Sequence, residues 1–216
     1  MRQISRLSVI AVSTALLITL SSCSSTQSTL EADDQPSTPI ENREMTTDVQ
    51  ENKANGDSPQ GSVTDAANFE ITENEDGTVT ISRYIGTETD IVIPSQIDGK
   101  TVSAIGNVMG TTGAFEGCTS ITAVVIPDGV TEIQDNAFYG CSSLETVTIS
   151  SSVTLLRNCA FCDCPNLRAV YFKGDAPQQA NYVFDSTENV TMYYQDGTSG
   201  WENPWHGRPA EVYIPE

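Results

Sequence analysis

Histidine is almost missing from this chain of 216 residues: there is one, His206. A single imidazole, set between Trp205 and Gly207 and far in sequence from any Ser or Cys arranged as a nucleophile, reads as a structural residue and not as a base. Basic residues are also scarce, 10 Lys and Arg against 29 Asp and Glu, for a net charge of −19. That excess disfavours sequence-independent attraction to nucleic acid or to anionic lipid. Neither a G-x-x-x-x-G-K loop nor a dinucleotide fingerprint occurs, so nucleotide chemistry has no support. Carboxylates are too plentiful for any one pair to signify a glycosidase site. Glu73, Glu75 and Asp76 cluster without the spacing of a calcium loop, and they read as solvated turn acids. No cofactor and no metal are expected, and the chain reads as a binding protein and not as an enzyme.

Long apolar runs are missing too. The one candidate, residues 7–20, follows Arg2 and Arg6 and is too short to remain in a bilayer as a spanning helix. It ends at Leu20-Ser21-Ser22-Cys23, which resembles the bacterial lipobox; the resemblance implies cleavage before Cys23 and lipid attachment to its thiol. Two acyl chains there would anchor stably, where one would not. Ser24 follows, with no Asp to imply retention at an inner membrane, so residues 1–22 are expected to be a signal peptide and the protein to face outward. Residues 24–66 hold nine acids and two bases, with neither helical nor strand periodicity. Such a segment cannot bury a core and reads as an acidic tether with a span of about 35 Å.

What is abundant is repetition. Ala114-Phe115-Glu116-Gly117-Cys118 returns as Ala137-Phe138-Tyr139-Gly140-Cys141 and again as Ala160-Phe161-Cys162-Asp163-Cys164, each copy 23 residues after the last. A worn copy, Val183-Phe184-Asp185-Ser186-Thr187, keeps the step. Ile121, Leu144, Leu167 and Val190 share the period, as do Val124, Val147 and Val170, then Ile126, Ile149 and Phe172. Val130 with Val153, and Ile133 with Leu156, add two shorter columns. The pattern L-x-x-V-x-I describes a short strand with one buried face, followed by a polar turn and a compact Ala-Phe segment. One such unit cannot cover its own apolar side. Stacked coils can, with parallel strands about 4.8 Å apart and the Phe column filling the interior from the opposite wall.

These residues resemble the BspA-like leucine-rich repeats of bacterial surface proteins, whose units run close to IP-x-x-V-x-x-I-x-x-x-A-F-x-x-C-x-x-L. Ile126-Pro127-Asp128-Gly129-Val130 through Cys141 and Leu144 fits nearly position for position. Residues 84–106 look like the opening coil, with an insertion before Ala114 that is expected to bulge as a loop at 107–113. Upstream, Phe69-Glu70-Ile71 and Thr78-Val79-Thr80-Ile81 flank Asp76-Gly77, which predicts a hairpin capping the first edge. Tyr193-Tyr194, Trp201 and Trp205-His206-Gly207-Arg208-Pro209 predict an aromatic C-terminal cap. The expected architecture is a leucine-rich-repeat solenoid over residues 67–216, with caps at about 67–84 and 188–216.

The resemblance implies adhesion to a protein ligand, a host matrix or envelope protein, without naming it. On each strand the residues between buried positions are expected to face outward on the concave side: Thr122, Ala123 and Val125; Glu145, Thr146 and Thr148; Arg168, Ala169 and Tyr171. Arg168 and Tyr171 lead as contact anchors, since Arg and Tyr dominate interface hot spots. Five such strands offer about 400 Å², about half of one partner's share of a standard interface. A structural role beside another envelope protein is the alternative, and a carbohydrate-active enzyme a third reading. Of the six cysteines, Cys23 is assigned to lipid, and Cys118, Cys141 and Cys164 are expected to be reduced and buried. Cys159-x-x-Cys162 has no second pair or nearby His for zinc, which leaves a chance pairing or a local disulfide.

Overall fold

The computed structural model describes residues 61–106 and 112–214. The signal segment, Cys23, the tether as far as residue 60 and most of the loop expected at 107–113 lie outside the described residues.

Thirteen strands follow one another with almost no helix among the described residues. They are β1 (Phe69–Glu73), β2 (Val79–Tyr84), β3 (Asp90–Val92), β4 (Gln96–Ile97), β5 (Lys100–Ile105), β6 (Ala123–Ile126) and β7 (Glu132–Ile133), then β8 (Thr146–Ile149), β9 (Leu155–Leu156), β10 (Ala169–Phe172), β11 (Gln178–Gln179), β12 (Thr191–Gln195) and β13 (Ala210–Tyr213). Two sheets result. The six-stranded sheet runs β13-β12-β10-β8-β6-β3, and the seven-stranded sheet runs β1-β2-β5-β7-β9-β11, with β4 paired to β5.

The 23-residue step becomes strand register in the six-stranded sheet. Val124 lies beside Val147 and Val147 beside Val170, while Ile126, Ile149 and Phe172 align in the same way. All six are buried, as alternation in a half-buried strand requires. Opposite them the rings of Tyr84, Phe115, Phe138, Phe161 and Phe184 stack at 5.2, 4.7, 5.1 and 5.5 Å between centroids. Each ring buries about 1.5–3 kcal/mol of transfer free energy, so this ladder is the main apolar post of the coil. Neighbouring coils also join through the backbone of this wall, where Phe115, Phe138 and Phe161 N–H groups donate to Ala137, Ala160 and Val183 carbonyls at 2.7, 2.8 and 2.9 Å. Approach here is close enough that a Cβ on Gly113 would lie 1.7 Å from the Asn136 carbonyl oxygen, so that position admits no side chain.

The cysteine column closes the same wall. Cys141 and Cys164 thiols donate to the Phe115 and Phe138 carbonyls at 3.1 and 3.2 Å, and Thr187, the next member, donates its hydroxyl to Phe161 at 2.7 Å. Cys118, Cys141 and Cys164 are buried and stand outside the disulfide, as the column predicts. Cys159 and Cys162 are joined in a disulfide, which settles the choice left open above.

Two features depart from the sequence reading. The expected polar turn contains a second parallel ladder, β5-β7-β9-β11, in which Ile105, Ile133, Leu156 and Gln179 align. Strands of two residues are too short to show alternation. The hairpin β1–β2 forms around Asp76-Gly77, but it extends this smaller ladder through β2 and β5 and does not cover β3. The edge of β3 is instead met by the end of the segment read as tether: Thr64 N–H donates to the Val92 carbonyl at 2.9 Å, and Val92 N–H to the Thr64 hydroxyl at 3.1 Å. At the other end the aromatic cap forms, and it brings two further strands, β12 and β13, that prolong the six-stranded sheet. Trp201 and Trp205 close it over Phe172 at 4.8 and 5.6 Å.

Candidate binding face

The outer surface of the six-stranded sheet is built from the residues that alternate with the buried columns. Val92, Val125, Thr148, Tyr171, Tyr193 and Glu211 align in one row, and Asp90, Ala123, Thr146, Ala169 and Thr191 in another. Thr122, Glu145 and Arg168 precede their strands and are tied to one another through the backbone, Glu145 N–H to Thr122 carbonyl at 2.8 Å and Arg168 N–H to Glu145 carbonyl at 3.0 Å. All the expected contact residues are therefore brought onto one face.

Their exposure is not what alternation alone suggests. Glu145 and Arg168 are exposed, and neither joins an ion pair among the described residues. Thr122 and Val125 are half-buried, and the Thr122 hydroxyl is held by Asp90 at 2.6 Å. Thr148 is only 2% exposed and Tyr171 only 8%, which corrects the expectation that both stand open to solvent. The cause is the stack itself. At the strand spacing of a parallel sheet each side chain is walled by its row neighbours, Thr148 by Val125 and Tyr171, Tyr171 by Thr148 and Tyr193. The Tyr193 ring stacks on Tyr171 at 5.1 Å and Tyr213 meets it edge-on at 5.3 Å. Ala123 and Ala169 are buried for the same reason.

The aromatic anchor thus passes from Tyr171 to Tyr193, which continues the row onto the cap, and to Tyr213, whose ring meets Tyr171 from β13; both are half-buried. Sequence reasoning placed Tyr193 in the cap and not in the row, because the step from Val170 to its partner Met192 is 22 residues, one fewer than between the earlier coils. Sliding the period by one residue after Val190 would have found it. Burial pushes the Tyr171 hydroxyl above its ordinary pKa, helped by Tyr193 and Tyr213; burial and then the Glu211 carboxylate do the same for Tyr193. Both remain neutral hydrogen-bonding groups at physiological pH.

The remaining candidates are structural in their contacts. Asp76 accepts from the Thr78 hydroxyl at 2.6 Å and its N–H at 3.0 Å, bonds that lower its pKa, while Glu73 pairs with Lys100 at 2.5 Å. Among the described residues no group of three His, Cys, Asp or Glu side chains is placed to hold a metal ion. The Cys141 thiol, hydrogen-bonded with Cys164 and buried, is held well above its usual pKa, so it stays protonated and unreactive.

Residues 100–199 match the family described as the BspA type leucine rich repeat region, in six copies. Among solved structures, a leucine-rich repeat protein from Bacteroides capillosus is similar at 25% identity and a TM-score of 0.50, over 61% of this chain and 99% of that one. A leucine rich cell surface protein from Faecalibacterium prausnitzii is similar at 28% identity and a TM-score of 0.49, over 74% of this chain and 44% of that one. The Treponema pallidum leucine rich repeat protein is similar at 22% identity and a TM-score of 0.46, over 72% of this chain and 84% of that one. No curated protein matches. The coil register, the Phe and Cys columns and the family match agree: the repeat region of this chain belongs to the BspA type leucine-rich repeats.

Proposed function

We propose that this protein is a lipid-anchored surface module that binds a protein through the outer face of its six-stranded sheet. The observation that carries the reading is the row through Tyr171 and Tyr193, with the Tyr213 ring edge-on to Tyr171, flanked by exposed Arg168 and Glu145. Aromatic rings beside unpaired charges are the usual composition of an interface hot spot. The lipobox-like residues at Cys23 and the disulfide Cys159–Cys162 support an exported setting, since disulfides persist in oxidising compartments. A face of about 400 Å² binds a single protein weakly, so adhesion would draw on many anchored copies. No catalytic step is part of this reading.

The edge strand β13 favours a second reading, packing against another envelope protein: Val212 is 49% and Ile214 83% exposed there. An unpaired edge with apolar side chains is a template for strand addition. Affinity capture with the full chain, run in parallel on purified matrix proteins and on membrane extract of the producing cell, separates the two. The proposal expects saturable capture of a matrix or cell-surface protein from outside. Capture of an envelope protein alone, retained when Arg168 and Tyr193 are replaced, moves the assignment to assembly.

A further inference from the structure

Three local irregularities meet at one pocket of about 390 Å³ between the last coil and the C-terminal cap. The first is Gln179, which occupies the inward column filled by Ile105, Ile133 and Leu156 in the preceding coils; its Nε2 is buried with no hydrogen-bond partner among the described residues. The second is Tyr182, a bulky residue in the left-handed region at φ 63° whose side chain is 72% exposed. The third is His206, also left-handed at φ 46°. Strained backbone and a polar group in an apolar column are features that gather at binding sites.

The cap wall of the pocket is rigid. Trp205 and Arg208 exchange backbone hydrogen bonds at 2.9 and 3.0 Å around His206 and Gly207, both at positive φ, which is the two-residue turn of a tight hairpin. Trp205 is buried against Trp201 at 4.7 Å, and Arg208 donates to the Phe184 carbonyl at 2.9 Å. His206 is therefore held at the rim without any ligand being needed to place it.

We infer that this pocket is a saccharide-binding site, separate from the sheet face and independent of the function proposed for it. Its polar walls are Gln179, Asn181, Asp185, His206 and Arg208, all planar side chains, and together they supply donors and acceptors. Sugar hydroxyls both donate and accept, so they need such a mixed set, and the apolar face of a pyranose needs a flat aromatic surface, which Tyr182 offers. The volume suits a small ligand and not a protein. Asp185 and the chain's acidic excess set the site against free phosphate.

His206 is the one histidine of the chain, so its imidazole resonances report on the pocket without ambiguity. The full chain in detergent would be titrated with cellobiose, N,N′-diacetylchitobiose and digalacturonate, each to about 20 mM, a range that reaches weak single-site affinities. At least one is expected to give a saturable His206 shift, weakened on the order of tenfold by Tyr182→Ala and by Asp185→Asn. Both substitutions are at exposed positions and leave the core untouched, and an unchanged far-UV spectrum verifies this. A response to digalacturonate alone assigns Arg208 and His206 to a sugar carboxylate; a response to a neutral disaccharide assigns Asp185 to its hydroxyls. No saturable shift with any of the three, or shifts undiminished in both variants, would overturn the inference.

Discussion

Single residues in this protein act mainly through columns. Phe138 lies in the middle of the ring stack, with Phe115 at 4.7 Å on one side and Phe161 at 5.1 Å on the other. Phe138→Ala is expected to cost about 3–5 kcal/mol in denaturant unfolding, since neither neighbouring coil can collapse into the gap. Phe184, at the end of the stack with a ring on one side only, should cost less. Tyr171 gives a residue-scale prediction about pH. Its pKa is raised in the folded state by burial and by its tyrosine neighbours, so its contribution is complete below the ordinary tyrosine range and is lost as pH rises through the folded value. Thermal stability is expected to fall above about pH 10, and Tyr171→Phe should remove part of that alkaline loss. An alkaline Tm profile unchanged by the substitution would contradict the burial of its hydroxyl.

At the scale of elements, what could be read in advance was set by strand length. Four-residue strands such as β8 and β10 carry two inward residues at a fixed period, so Val147 and Ile149 announce themselves. The two-residue strands β7 and β9 each bring one inward residue, Ile133 and Leu156, and one residue cannot show a period of two. The contact face was legible as a set of positions, but exposure was not, because Tyr171 is covered by Tyr193 and Tyr213 from strands whose register has shifted by one. Coils that touch only their neighbours should differ in protection according to whether both edges are paired. Hydrogen exchange is expected to be slowest in β8, which has β6 and β10 on its two sides, and faster in β13, which has β12 on one side only. Equal exchange in the two strands would contradict a nearest-neighbour stack.

Over the whole molecule the proposed function calls for an anchor, a tether and a small recognition face. The anchor rests on Cys23, and Cys23→Ser is expected to move the protein from the membrane fraction into the medium, read by fractionation of the producing cells. The net charge of −19 leaves basic proteins favoured among possible ligands, with attraction that weakens as salt rises. The most direct measurement is binding of a captured ligand to immobilised protein in three forms: unchanged, Arg168→Ala with Tyr193→Ser and Tyr213→Ser, and Tyr139→Ser on the opposite wall. The account predicts that the triple substitution lowers affinity by on the order of a hundredfold while Tyr139→Ser leaves it unchanged. Equal affinity in the first two forms, or loss only with Tyr139→Ser, would contradict recognition through the outer face of the six-stranded sheet.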